Sequence, residues 1–251
     1  MSDMKKMLLS ILIFAAFSAA GAERLVDELL ESYGKIETLS CEVRRTSITD
    51  SGRMRSLSRV HYQRPDRIHV HSSSPIERRH VADGERIYYY VDGDPKGFSS
   101  SIEDLGEDWL TSLRQVPGTA MDHLLKIGDA AEDELPATDE YPVRRGYRTE
   151  KPYIVLSLDE QGRLSRVEYF ENADLRDSIL VGVYSRFVEC LPGVWIPTRH
   201  RITLDMQGFS RQDNVQFLNI IANEPLSQGL FNPDAYFSGV EFVDNFEDIY
   251  K

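Results

Sequence analysis

From residue 39 onward, apolar residues recur at every second position in short segments, and those segments are separated by turn-forming residues. The segments are 39–49, 54–63, 67–73, 77–82, 86–91, 153–158, 163–171, 178–188, 194–205 and 212–221. Asp50-Ser51-Gly52, Pro65-Asp66, Asp83-Gly84, Gln161-Gly162 and Pro192-Gly193 punctuate them. A period of two places alternate side chains on opposite faces of a strand, and connections this short join antiparallel neighbours. The pattern predicts one large antiparallel sheet, strongly curved or closed.

The hairpin around Pro65 shows the two faces most clearly. Val60, Tyr62, Ile68 and Val70 fall on one side, and Arg59, His61, His69 and His71 on the other. The first side reads as apolar and the second as wet. Val181, Val183 and Phe187 form a similar set, as do Ile196, Ile202 and Leu204, and Val215, Phe217 and Ile221. Three segments instead carry helical spacing: 23–37, 101–116 and 119–127, the last two divided by Pro117-Gly118. Either these helices fill the concave side of the sheet as a packed core, or they leave a cavity that a ligand completes. The acids Asp129, Glu132, Asp133, Glu134, Asp139 and Glu140 lie close together with Pro136 among them, and residues 129–140 read as a solvated loop.

The N-terminus has the three parts of a secretory signal: basic Lys5 and Lys6, an uncharged apolar run from Met7 to Ala20, and the small residues of Ala20-Gly21-Ala22. The run is shorter than the ~20 residues that cross a bilayer. Residues 1–22 are therefore expected to be removed, leaving 23–251 as a single exported domain. The formal net charge of −12 argues against nucleic acid as a partner. It leaves lipid-derived ligands open, because hydrophobic transfer rather than charge drives entry into an apolar cavity. Cys41 and Cys190 admit either one disulfide or two buried thiols.

Chemistry-bearing motifs are sparse. GxSxG, HExxH and GxxxxGK[ST] do not occur, and no cofactor signature is present, so neither enzymatic activity nor a cofactor is expected. His61, His69 and His71 stand close enough on one face to be weighed as a zinc site. Arg59 and Arg67 beside them disfavour a cation, and no metal is expected. His200 shares parity with Ile196 and Ile202 and reads as a hydrogen-bonded core histidine. Ser72-Ser73-Ser74 and Ser99-Ser100-Ser101 read as loops.

Val60-His61-Tyr62-Gln63-Arg64-Pro65-Asp66-Arg67-Ile68 resembles the strand-turn-strand of periplasmic outer-membrane lipoprotein carriers, the LolA-like proteins. Val81-Ala82-Asp83-Gly84-Glu85-Arg86-Ile87-Tyr88-Tyr89-Tyr90 is similar to the family's Asp-Gly hairpin with its aromatic second strand. Ile36-Glu37-Thr38-Leu39-Ser40 follows the opening helix, and Phe231-Asn232-Pro233, Gly239-Val240-Glu241 and Asp244-Asn245 complete the series in order. The resemblance implies a mainly β fold with helices: a half-open, curved antiparallel sheet, an incomplete barrel, covered by a helical lid. It implies an apolar cavity for the acyl chains of lipoproteins or lipids, with Val60, Tyr62, Ile68 and Val70 facing it.

Arg64 corresponds by resemblance to the family arginine that holds the lid closed and takes part in ligand transfer. A periplasmic, monomeric carrier moving cargo from an inner-membrane donor to an outer-membrane acceptor is the expected function. The wider superfamily also contains lipid-binding and envelope-stress-sensing members, so a sensor or interaction module is the alternative. The chain departs from the best-known carriers by extra material near the acidic segment and at 188–198. There, Val194-Trp195-Ile196-Pro197-Thr198-Arg199 is similar to more distant lipoprotein-sorting proteins.

Overall fold

The computed structural model describes residues 24–250; the expected signal segment lies outside them. Helix α1 (Leu25–Gly34) leads into β1 (Thr38–Thr49), β2 (Gly52–Gln63), β3 (Arg67–Ser74), β4 (Arg78–Asp83), β5 (Arg86–Val91) and β6 (Gly97–Ser101). Helices α2 (Glu107–Arg114) and α3 (Met121–Ile127) follow. The chain continues through β7 (Ala131–Glu134), β8 (Val143–Arg148), β9 (Tyr153–Leu158), β10 (Leu164–Phe170), β11 (Ser178–Leu191), β12 (Val194–Met206) and β13 (Phe209–Ala222) to a final short β14 (Phe242–Val243).

All fourteen strands among the described residues belong to one sheet, ordered β14-β6-β5-β4-β3-β2-β1-β13-β12-β11-β10-β9-β8-β7. Every pairing is antiparallel except the two-residue contact of β14 with β6. The sheet is curved but not closed into a barrel. Its order explains the cover. The chain walks outward from β1 to β6, then must reach β7 at the opposite edge before walking back to β13 beside β1. Residues 102–130 make that crossing and carry α2 and α3 with them. α1 packs against α3, and the Arg24 guanidinium donates to the carbonyls of Gly128 at 2.8 Å and Ala130 at 3.0 Å.

The acidic segment is not wholly a loop. Glu132, Asp133 and Glu134 lie in β7, paired to β8. Arg145 reaches Glu132 at 3.2 Å and Glu134 at 3.5 Å, and Arg148 reaches Asp133 at 2.8 Å. Cross-strand charge pairs, not apolar alternation, recruit this edge. A charged edge also discourages pairing with a second sheet. The two serine runs likewise lie in strands, at the end of β3 and in β6.

Ile221, expected to share a face with Val215 and Phe217, is instead 44 % exposed. Two residues of β13 between Leu218 and Ile221 oppose Cys41 alone, and Asn219 there has φ of 52°. One extra residue in a strand reverses the alternation beyond it. Val181 and Val183 do share a face, but the opposite face of β11 supplies Tyr184 to the concave side.

Candidate functional site

In the β2–β3 hairpin Val60 pairs with Val70 and Tyr62 with Ile68, so the four residues project to one side, the concave one. Val60, Ile68 and Val70 line a cleft of about 390 Å³. Its sheet wall continues through Val43, Ile87, Val215 and Phe217, and its roof is Leu105, Trp109, Leu113 and Val116 from the α2 region. The helices therefore leave a cavity rather than filling the concave side completely. Tyr62 stands apart: it is fully buried, and its hydroxyl donates to the Arg114 carbonyl at the end of α2 at 3.0 Å.

That bond is half of a tie on α2. The Arg114 guanidinium also holds Asp66 in the β2–β3 turn through Nε at 2.6 Å and Nη2 at 3.4 Å. The N-terminal part of α2 rests on aromatic rings: Trp109 stacks on Phe246 at 6.1 Å and meets His80 edge-on at 6.4 Å. Arg64 lies nearby, but its Nε donates at 3.4 Å to Ile36, just beyond α1, and its buried Nη2 has no hydrogen-bond partner among the described residues. In this arrangement α2 is secured by Tyr62 and Asp66.

A neutral hydrogen bond contributes about 1 kcal/mol and a partly exposed ion pair about 0.2–1 kcal/mol. The double variant Tyr62→Phe/Asp66→Asn should accordingly raise α2 opening about tenfold. Amide hydrogen exchange should show faster exchange in residues 107–114 and no change in β9 and β10. Unchanged α2 protection would mean that the apolar contacts alone secure the helix.

Three histidines of the cleft are shifted toward their neutral form. Burial lowers the His80 and His200 pKa values to about 4, opposed at His200 by its contact with the Pro197 carbonyl at 3.2 Å. His123 is also shifted down by burial, against the pull of Asp122, and bonds the Tyr169 hydroxyl at 2.8 Å. Sequence alternation signals His80 only as a strand residue, and Phe217 as one of an apolar strand face with Val215. Trp109 and Leu113 come from a distant helical segment, and nothing local marks them as cavity walls.

The histidine face is not uniformly wet. Tyr236, from the tail, packs tilted against His69 at 4.5 Å with Arg79 over its ring, leaving His69 5 % exposed. The rings serve separate partners: His61 meets Ser40 at 2.9 Å and His71 meets Glu77 at 2.9 Å. Among the described residues, no three His, Cys, Asp or Glu side chains group to hold a metal ion. Both cysteines are free thiols, and burial pushes Cys41 up to about 12.

Neither a protein-family model nor a curated protein sequence matches the chain. Solved structures do match it. A LolA superfamily protein from Nitrosomonas europaea superposes with a TM-score of 0.54 at 12 % identity, covering 84 % of this chain and 99 % of that one. The fold is LolA-like. A DUF1329 family protein from Desulfovibrio piger gives 0.56 at 11 %, covering 84 % of this chain and 95 % of its own. A domain from Vibrio parahaemolyticus named for outer membrane lipoprotein sorting gives 0.53 at 9 %, covering 83 % and 96 %. The LolA-like likeness spans nearly the full length of each neighbour, and at these identities it is a likeness of fold. No helix among the described residues is long and apolar enough to cross a membrane.

Proposed function

We propose that the chain is a periplasmic carrier that shields acyl chains of lipoproteins or lipids between an inner-membrane donor and an outer-membrane acceptor, working as a monomer. The observation that carries this reading is the apolar cleft between the concave sheet and the short helices above it. Its volume lies in the range of small-molecule sites. Apolar burial supplies about 0.8 kcal/mol per CH₂, so the grip needs no catalytic group. The lipoprotein-sorting name of one structural neighbour supports the choice of cargo class.

In this reading Val60, Ile68 and Val70 contact the chain directly, and Tyr62 connects that wall to α2. Arg64 is the transfer latch: its unmatched Nη2 takes a lid carbonyl when α2 shifts. The test is native mass spectrometry of the mature protein purified from the envelope, with lipid extraction of any adduct. An acyl-bearing adduct, or uptake of added acylated peptide, is the expected result. A protein that carries no adduct and refuses the peptide would overturn the carrier and leave a sensor or interaction module on the same fold.

A further inference from the structure

The cleft continues past Val60 and Val70 into a second space of about 460 Å³, with Val43, Arg45, Val60, Val70 and His80 as shared walls. The sheet changes character at that boundary on five adjacent strands. Concave positions run from Cys41 and Val43 to Arg45 and Ser47 on β1, and from Tyr62 and Val60 to Ser58 and Ser56 on β2. They run from Ile68 and Val70 to Ser72 on β3, from Ala82 and His80 to Arg78 on β4, and from Phe217 and Val215 to Asp213 and Arg211 on β13. The register staggers these changes: Ser58, Ser72 and Arg78 share one cross-strand row in which β1 and β13 still carry Val43 and Phe217, Arg45 follows one row later beside Val215, and Ser47 and Asp213 pair in the row after that. The result is a polar patch shared by these five strands, and Ser47, Ser72 and Asp213 within it are buried rather than solvated.

Charge is unbalanced in the second space. Asp213 accepts from Arg45 Nη2 and, at 2.5 Å, from Ser47, and lies 3.1 Å from Arg211 Nε. Asp213 thus meets two guanidinium groups, while Arg78 and Arg79 also line the space and, of these two, only Arg79 has a carboxylate among the described residues, Glu77 at 3.5 Å. Arg78 has no ion pair or side-chain hydrogen bond among the described residues, and His80 Nε2 is buried without a hydrogen-bond partner, whereas Arg211 Nε is matched by Asp213. A guanidinium fork is matched by the oxygens of a phosphate or carboxylate.

We propose that this space is a head-group cradle, so that the cargo is an amphiphile carrying an anionic phosphate or carboxylate at the end of its acyl chain. The proposal rests on the carrier reading and names its ligand class. The acyl chain lies under α2 against Val60, Ile68 and Val70, and the anionic oxygens meet Arg78, Arg211 and Arg45.

The experiment is displacement of a neutral fluorescent acyl probe from the full mature chain by ligands with one common acyl chain. The set comprises a lysophosphatidic acid, the free fatty acid, a lysophosphatidylcholine and a monoacylglycerol, with inorganic phosphate alone as a further competitor. The two anionic lipids should bind at least about tenfold more tightly than the monoacylglycerol, the scale of one charge-assisted hydrogen bond. The difference should shrink in high salt and collapse in Arg78→Gln and in Arg78→Gln/Arg211→Gln, with thermal melts confirming that both variants fold. A stronger response to lysophosphatidic acid than to fatty acid assigns the cradle to phosphate, and the reverse assigns it to carboxylate. Equal affinity for every head group, or a preference untouched by Arg78→Gln, overturns the cradle while leaving the carrier standing. Displacement by inorganic phosphate alone overturns the amphiphile. Failure of every lipid to bind removes the carrier reading itself.

Discussion

Between pH 7.5 and pH 4.5 the folded chain is expected to lose several kcal/mol of stability, and with it the cleft in which we propose the acyl ligand sits. His69, His80 and His200 are all held near a pKa of 4. Burial is the main cause at each, reinforced at His69 by Arg79 and resisted at His200 by the Pro197 carbonyl. In the unfolded chain a histidine titrates near 6.5. Across the interval the unfolded state binds protons that the folded state refuses, so stability falls as pH falls. The contribution is fully present above the unfolded value and is lost progressively down through the folded one, on the order of 3 kcal/mol for each ring. A typical total is about 5–15 kcal/mol, so the sum is large enough to unfold the protein.

The carboxylates act in a lower window. At Asp213 burial pushes the pKa up, but hydrogen bonds from Arg45 and Ser47 outweigh it and leave the group below its ordinary value, so its contribution is lost only under about pH 4. Urea midpoints at pH 7.5, 6.0 and 5.0 separate the two. They should fall steadily in the native chain and less steeply in His80→Phe, whose ring can keep the contacts with Tyr89 and Trp109 without titrating. A midpoint that is flat from 7.5 to 5.0 would mean that these rings are solvated. His80 and His200 both line the cleft, so the protons that destabilise the fold also place charge on its walls.

The parts of the fold that follow hydrophobic periodicity are legible from residue type alone. β1 to β5 and β11 to β13 alternate over most of their length, β9 and β10 are short runs buried on both faces and bounded by turn residues, and the borders of all ten fall within a few residues of the expected ones. β7 and β8 do not alternate. β8 is built from Val143, Arg144, Arg145, Gly146, Tyr147 and Arg148, and it is a strand because its arginines meet the acids of β7. Gly146 also lacks a side chain for a reason visible only in space: a Cβ there would sit 1.9 Å from the Tyr153 hydroxyl. β6 and β14 carry too few residues for any period.

The site divides the same way. Val60, Ile68 and Val70 declare themselves because two strands joined by a tight turn fix their common face. Trp109 and Leu113 arrive from the crossing between opposite sheet edges, a placement that strand order dictates and local spacing does not encode. The signal for Arg64 is the family resemblance, whereas Tyr62 and Asp66, in the same stretch, make the contacts that hold α2 in this structure.

Val70→Trp should abolish most acyl binding while leaving a folded protein. Val70 is half-buried at the junction of the two spaces and lines both, so a larger ring enters room that is already there. The usual overpacking cost of about 1–3 kcal/mol arises where a core is full, and here it should fall at or below the lower end. The ring would displace about three methylenes of the ligand. At about 0.8 kcal/mol each this is about 2.4 kcal/mol, or roughly a sixtyfold weaker affinity. Titration with ligands of increasing chain length gives the sharper reading. In the native chain, affinity should rise with each added CH₂ until the cleft is full; in Val70→Trp the rise should stop about three carbons earlier. A variant that folds and binds long chains as tightly as the native protein would place the chain elsewhere on the concave face. The cleft under α2 would then be a packing defect rather than the binding site.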